Sequence, residues 1–232
     1  GNAYVSVNGG KTFGPSSGLD ELLGRVVSAG DSVWLMSAAG LYRTADAANS
    51  WKRVAPGVGS ISFADVAVDP ADPNHLWLAT DEDLFEGSSP ATGLISFNTA
   101  TGSSSRPSGL ERNVAAVAID ATGVVYAYQR QGVRDVGTRP VTTGVFVSTD
   151  AGKTFTASTI LSSSLVLKAT WRFSPLALAS SGSLFAGAVN ATSVPSLVRA
   201  AAGGASPSQV WTGAGWVPHG VYVAKSGEVY LV

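Results

Sequence analysis

A chain of 232 residues, 45% of them hydrophobic, is long enough to bury a substantial core within one large domain. Only 13% of residues are charged and the formal net charge is −1, so no global field favours nucleic acid or an anionic membrane surface. There is no cysteine, which excludes disulfides, thiolate metal sites and cysteine nucleophiles, and no apolar run of about 18 residues that would insert across a bilayer.

In chain order, the sequence opens inside a strand at Tyr4-Val5, without an initiator Met or a basic-then-apolar leader. The expectation is a trimmed chain whose export signal is out of view. The first segment, Tyr4-Val-Ser-Val-Asn-Gly-Gly-Lys-Thr-Phe13, recurs as Tyr42-Arg-Thr-Ala-Asp-Ala-Ala-Asn-Ser-Trp51 and as Phe146-Val-Ser-Thr-Asp-Ala-Gly-Lys-Thr-Phe155. The shared pattern is aromatic, x, Ser/Thr, x, Asp/Asn, x, Gly/Ala, x, Thr/Ser, aromatic. A worn copy runs from Ile95 to Thr101 and a faint one from Leu197 to Gly203. Asn8, Asp46, Asn98 and Asp150, taken as equivalents, lie about 38, 52 and 52 residues apart, close to the length of one four-stranded propeller blade.

Between these copies, paired strands alternate with turn clusters. Ala64 to Asp69, the turn Asp69-Pro-Ala-Asp-Pro-Asn74 and His75 to Thr80 make one pair; Val114 to Ile119 and Val124 to Tyr128 make another. Pro175 to Ala179 with Leu184 to Ala188, and Val221 to Ala224 with Val229 to Val232, complete the series. No segment carries a convincing helical period. The N-terminus supplies a third and fourth strand, the C-terminus a first and second. The reading is an all-β propeller of about five four-stranded blades, a single domain over 1–232, closed by terminal strands that share one blade. The competing arrangement is a larger ring of six to eight blades from which both ends are cut.

The repeated segments resemble the Asp-box, or bacterial-neuraminidase repeat, of sialidases, sortilin-type receptors, xyloglucanases and photosystem assembly propellers. Residues 148–155 match every position of the pattern; the first copy has Asn8 for Asp, and the second has Ala48 for Gly and Ser50 for Thr. The resemblance implies a structural role for Ser6, Asn8, Gly10, Thr12, Phe13, Thr44, Asp46, Ser50, Trp51, Ser148, Asp150, Gly152, Thr154 and Phe155 in the turn between third and fourth strands. A short carboxylate or amide accepts backbone N–H bonds there, glycine permits positive φ, and the closing aromatic packs between adjacent sheets.

The resemblance also implies a ligand face opposite the boxes, where loops joining strands two and three meet the blade-linking segments. Two such loops are long: Asp81 to Pro90, carrying Asp81, Glu82, Asp83 and Glu86, and Gln129 to Pro140, carrying Arg130, Arg134 and Arg139. Their opposite charge either pairs them or forms a polar binding rim. Trp171, Arg172 and Trp216 join them as candidates, an exposed Trp being suited to stacking on sugar rings. Trp34 and Trp77 lie inside strands and read as core. Asn190-Ala-Thr192 fits a glycosylation sequon.

The functional expectation is a non-catalytic recognition or assembly module, extracellular or at the cell surface, that takes a glycan or a protein partner and no nucleic acid. The alternatives are a sialidase-like or xyloglucanase-like glycoside hydrolase, and a structural component of a surface or multi-protein assembly. Hydrolysis would need two carboxylates across one cleft, and the acidic residues here cluster on one loop. No catalytic residue, cofactor or metal is assigned.

Overall fold

The computed structural model describes residues 3–19, 23–29, 32–37, 40–54, 63–80, 93–111, 113–130, 142–161, 165–166, 175–190, 192–213, 218, 220–224 and 226–231. Antiparallel strands dominate these residues. An N-terminal hairpin joins β1 (Tyr4–Val5) to β2 (Gly14–Pro15). The first full sheet is β3 (Leu23–Ala29), β4 (Ser32–Ser37), β5 (Gly40–Thr44) and β6 (Lys52–Arg53). The second is β7 (Phe63–Asp69), β8 (Asp72–Thr80), β9 (Leu94–Asn98) and β10 (Ser104–Ser105). The third is β11 (Val114–Ile119), β12 (Val125–Gln129), β13 (Gly144–Ser148) and β14 (Thr156–Ala157).

The fourth sheet departs from the pattern by splitting its first strand. Both β15 (Leu165–Val166) and β16 (Leu176–Leu178) pair with β17 (Leu184–Asn190), followed by β18 (Pro195–Ala200) and β19 (Ser208–Thr212). A C-terminal hairpin pairs β20 (Val221–Val223) with β21 (Val229–Leu231). The two hairpins hold the strand complement of a fifth unit. Each is internally paired, and among the described residues no ladder joins β1 to β21.

The sheets succeed one another as propeller blades. First strands lie beside first strands, β3 by β7, β7 by β11, β11 by β16 and β16 by β20. Five apolar clusters fill the gaps between consecutive units, so the core is a set of layers between sheets. Strand alternation explains this arrangement. Tyr126 and Tyr128 of β12 face the fourth sheet, while Val125 and Ala127 on the same strand face the second. Trp34 packs with Phe63, Leu76 and Phe97 across the gap between the first two sheets, and Trp77 with Phe146 and Phe155 across the next. Each large side chain buried in this way contributes about 1.5–3 kcal/mol. Tyr126 also ties two sheets together, its hydroxyl donating to Asp120 Oδ2 at 3.3 Å and accepting the Gly203 N–H at 3.0 Å. Burial, reinforced by the nearby Asp120 charge, pushes that hydroxyl's pKa up to about 12.

The turns between first and second strands converge at one end. Pro70, Ile119 to Ala121, Leu178 to Gly182, and Val223 with Ala224 line a common cavity of about 330 Å³. The repeated turns between third and fourth strands lie at this same end, so the connections between second and third strands lie at the other.

Candidate functional site

The repeated turns are self-contained hydrogen-bond cages. Asp150 Oδ1 accepts the Ser148 hydroxyl (2.7 Å) and the N–H groups of Lys153 (3.0 Å) and Thr154 (2.9 Å), while Oδ2 accepts the Thr154 hydroxyl (2.6 Å). Asp46 accepts the Thr44 hydroxyl and the Ser50 N–H and hydroxyl in the same way, while Asn8 Oδ1 accepts the Ser6 hydroxyl and the Thr12 N–H and its Nδ2 donates to the Thr12 hydroxyl. At the worn copy, Asn98 accepts the N–H groups of Ala100 and Thr101. The Ser50 hydroxyl, the Ser50 N–H and the Thr44 hydroxyl pull the Asp46 carboxyl down to about 2. Asp150 is held below the ordinary carboxylate range by its bonds from Thr154 and Ser148. A carboxylate whose lone pairs are committed in this way is a poor general acid or base.

Phe155 and Trp51 close their turns as buried residues between sheets. Phe13 does not: it is 64% exposed, and among the described residues no sheet covers that face of the β1–β2 hairpin. Gly152 has φ +76° and lies directly against the Trp77 ring, where an added Cβ would come within 2.2 Å of the indole.

A structural element beyond the repeat pattern reinforces these turns. Ser17 N–H donates to Asn49 O and Trp51 N–H to Ser17 O, both at 3.0 Å. Ser108 N–H donates to Lys153 O (3.0 Å) and Phe155 N–H to Ser108 O (2.9 Å). Each short parallel bridge clasps the tail of one unit to the turn of the next. Its signal in the sequence was present, Pro15-Ser-Ser-Gly-Leu19 against Pro107-Ser-Gly-Leu110. The glycines are required there: Gly18 and Gly109 have φ +82° and +83°, and an added Cβ would meet the carbonyls of Trp51 and Phe155.

At the opposite end, two long connections are closed at their bases by polar side chains. Thr80 directs both its N–H (2.8 Å) and its hydroxyl (2.9 Å) to Gly93 O, pinning the root of segment 81–92. Gln129 Oε1 accepts the Glu111 N–H, and its Nε2 donates to Thr142 O at 2.6 Å, pinning the root of 131–141 to the blade-linking segment. Asn113 holds a left-handed φ of +63° and accepts the Arg130 N–H at 3.0 Å. Thr80, Asn113, Gln129 and Arg130 are all buried. Of the ligand candidates read from the sequence, Arg130 is therefore a buried residue at the end of β12. Asp81, Glu82, Asp83, Glu86, Arg134, Arg139, Trp171, Arg172 and Trp216 lie outside the described residues.

One constellation has the distances of a catalytic triad. His75 Nδ1 lies 3.1 Å from Asp69 Oδ2, and its Nε2 lies 2.8 Å from Ser96 Oγ. Ser96, however, sits within β9, opposite Trp77 on one side and Ser105 on the other. Its neighbouring backbone donors serve those ladders and offer no oxyanion hole. We read it as a hydrogen-bond chain bracing three strands. Among the described residues no cluster of three His, Asp or Glu side chains is placed to hold a metal ion.

A cleft of about 790 Å³ lies at the turn-bearing end, between the first two sheets. Arg43, Asp46, Lys52, Arg53, Asn74 and Thr99 are among its lining residues.

No protein-family model and no curated protein matches the chain. Solved structures do. An ancestral GH74 enzyme aligns over 97% of this chain and 30% of its own length, at TM-score 0.67 and 18% identity. The GH74 xyloglucanase from Xanthomonas campestris aligns over 97% of this chain and 38% of its own, at TM-score 0.66 and 18% identity. PorZ, a surface component of the type-IX secretion system of Porphyromonas gingivalis, covers 90% of this chain and 23% of its own, at TM-score 0.56 and 15% identity. The chain thus spans between 23% and 38% of the length of these proteins. At such identities the likeness bears on architecture, and the architecture it shows is the β-propeller.

Proposed function

We propose that the chain is an exported propeller of the Asp-box type, one domain over 1–232, acting as a recognition or assembly module at the cell surface or outside the cell. It holds a glycan or protein partner on the end opposite the repeated turns. One observation carries this reading: the two longest connections, 81–92 and 131–141, leave neighbouring sheets at that same end from roots clamped by Thr80 and Gln129. Variable segments on rigid roots are the common design of binding loops. Asp81, Glu82, Asp83 and Glu86 on one segment and Arg134 and Arg139 on the other supply a polar rim, with Trp171, Arg172 and Trp216 as further contacts. Neighbours named for a xyloglucanase and for a bacterial surface component are in keeping with a sugar or protein ligand at a surface, although fold alone does not assign function.

The test is a broad glycan array probed with the purified chain and with Trp171→Ala. Selective binding lost in the variant supports sugar recognition through this end. Turnover of the bound sugar would convert the reading to a glycoside hydrolase. A blank array, with partner capture abolished by charge reversal of Asp81, Glu82 and Asp83, supports a protein-binding module. A blank array together with capture insensitive to those changes rejects the proposed face.

A further inference from the structure

We infer that Asn8–Gly9, in the first repeated turn, is a self-modifying site at which Asn8 loses its side-chain amide and becomes aspartate. Aspartate is the residue that Asp46 and Asp150 already supply to the second and third cages. The site stands independently of the proposed recognition loops. Asn8 is the only asparagine of the chain that is followed by glycine. Asn8, Gly9 and Gly10 are all exposed. Among the described residues the Gly9 N–H has no hydrogen-bond partner, and Gly9 carries no side chain to obstruct its nitrogen.

The chemistry is a ring closure followed by hydrolysis. Solvent base takes the Gly9 amide proton, and the nitrogen attacks Asn8 Cγ. A C–N bond forms, the Cγ–Nδ2 bond breaks, and Nδ2 leaves as ammonia after taking up a proton. The product is a cyclic imide. Water then adds at Cγ and breaks the new C–N bond, returning a proton to Gly9 N and leaving aspartate at position 8. Opening at the main-chain carbonyl of the same residue gives isoaspartate instead. The net reaction consumes water and releases ammonia, with nothing oxidised or reduced.

The turn favours both steps. The Ser6 hydroxyl and the Thr12 N–H each donate to Asn8 Oδ1 at 3.0 Å, where negative charge develops during the attack. The Thr12 hydroxyl accepts from Nδ2 at 2.8 Å, so it lies beside the departing nitrogen and can protonate it. Bringing Gly9 N onto Cγ requires the turn to flex. Its two flanking strands are only 2 residues each and Phe13 is uncovered, so little packing opposes that motion. The aspartate product then recovers the cage of Asp150. Both donors to Oδ1 remain, and the Thr12 hydroxyl reverses to donate to the new oxygen, as Thr154 does to Asp150 Oδ2. Isoaspartate adds a main-chain carbon and loses that spacing. Because ring closure is reversible, the cage draws the mixture towards aspartate.

The experiment incubates the purified chain in mildly alkaline and mildly acidic buffer and follows it by peptide mapping with mass spectrometry. The peptide holding Asn8 should gain the mass of an Asn-to-Asp exchange, faster in the alkaline buffer, while those holding Asn49 and Asn98 stay unaltered over the same interval. Gly9→Ala should slow the conversion about ten-fold or more. That variant keeps the turn: Ala47 and Ala151 occupy the same position with φ +54° and +57°, and nothing lies within 4 Å of a Cβ added to Gly9. The folded chain should yield a larger share of aspartate over isoaspartate than the same chain in urea, and Thr12→Val should lower that share. Conversion at Asn8 no faster than at Asn49 and Asn98, or unaffected by Gly9→Ala, would overturn the site. An isoaspartate share as high in the folded chain as in urea would overturn the part assigned to the cage.

Discussion

The first repeated turn, Ser6 to Phe13, and the third, Ser148 to Phe155, have nearly the same hydrogen bonds and opposite surroundings. In both, a serine hydroxyl donates to an Asn or Asp oxygen that also accepts a threonine N–H four residues on. Yet Phe13 is 64% exposed and Phe155 only 4%. An added Cβ on Gly10 would meet nothing within 4 Å, whereas one on Gly152 would strike Trp77. The turn is thus a local device written into its own ten residues. The burial of its closing ring is a tertiary event that needs a sheet on the preceding side.

Paired substitutions at the two turns test that separation. Phe155→Ala should cost about 3–5 kcal/mol in chemical denaturation, as expected for emptying a buried aromatic site. Phe13→Ala should stay within about 0.5 kcal/mol; a comparable loss at both would mean that Phe13 is covered in solution. Gly152→Ala combines a left-handed φ with overpacking of about 1–3 kcal/mol, while Gly10→Ala carries the backbone penalty alone, about 1–2 kcal/mol. A smaller loss at Gly152 than at Gly10 would break the comparison.

The second turn offers a pH test. Asp46 has its folded pKa at about 2, below the ordinary carboxylate value, so its contribution is fully present above the unfolded value and is lost as pH falls through the folded one. Melting curves of the unaltered chain and Asp46→Asn should therefore differ most above about pH 5 and converge near about pH 2. A difference that grows on acidification would contradict the cage. The smallest effect is expected at Tyr128. Its hydroxyl is buried with no hydrogen-bond partner among the described residues, and burial raises its pKa. Tyr128→Phe should be neutral or slightly stabilising by thermal melt.

The fold was legible because its period is carried by chemistry that acts locally. Asp150 and Asp46 sit four residues before the hydroxyl they capture, and the Pro70, Gly123 and Gly182 turns punctuate strands whose two-residue alternation is plain. Trp34 and Trp77 were recognisable as core from their place inside strands. The splitting of the fourth sheet's first strand left no such signal, since Leu165–Val166 is a two-residue strand whose partner lies at the far end of β17. The loop roots were hidden for a related reason. Thr80 reads as the last residue of an ordinary strand and Gln129 as the first of a long loop, and only the return of the chain to Gly93 and Thr142 turns them into clamps. The charged cleft was equally invisible, because Arg43 and Lys52 face Asn74 and Thr99 only once two sheets are stacked.

The clasps at Ser17 and Ser108 bear on what counts as a module in this architecture. A cut at the edge of a sheet would strand the next unit's turn without the serine carbonyl that its aromatic residue's N–H uses and without the serine N–H that serves the carbonyl of Asn49 or Lys153. The piece that can be copied, transplanted or permuted intact is therefore a sheet together with its predecessor's tail, with the seam falling at Leu19 or Leu110. A lineage that lengthened such a protein by tandem duplication would preserve both clasp and turn only if its breakpoints respected that offset.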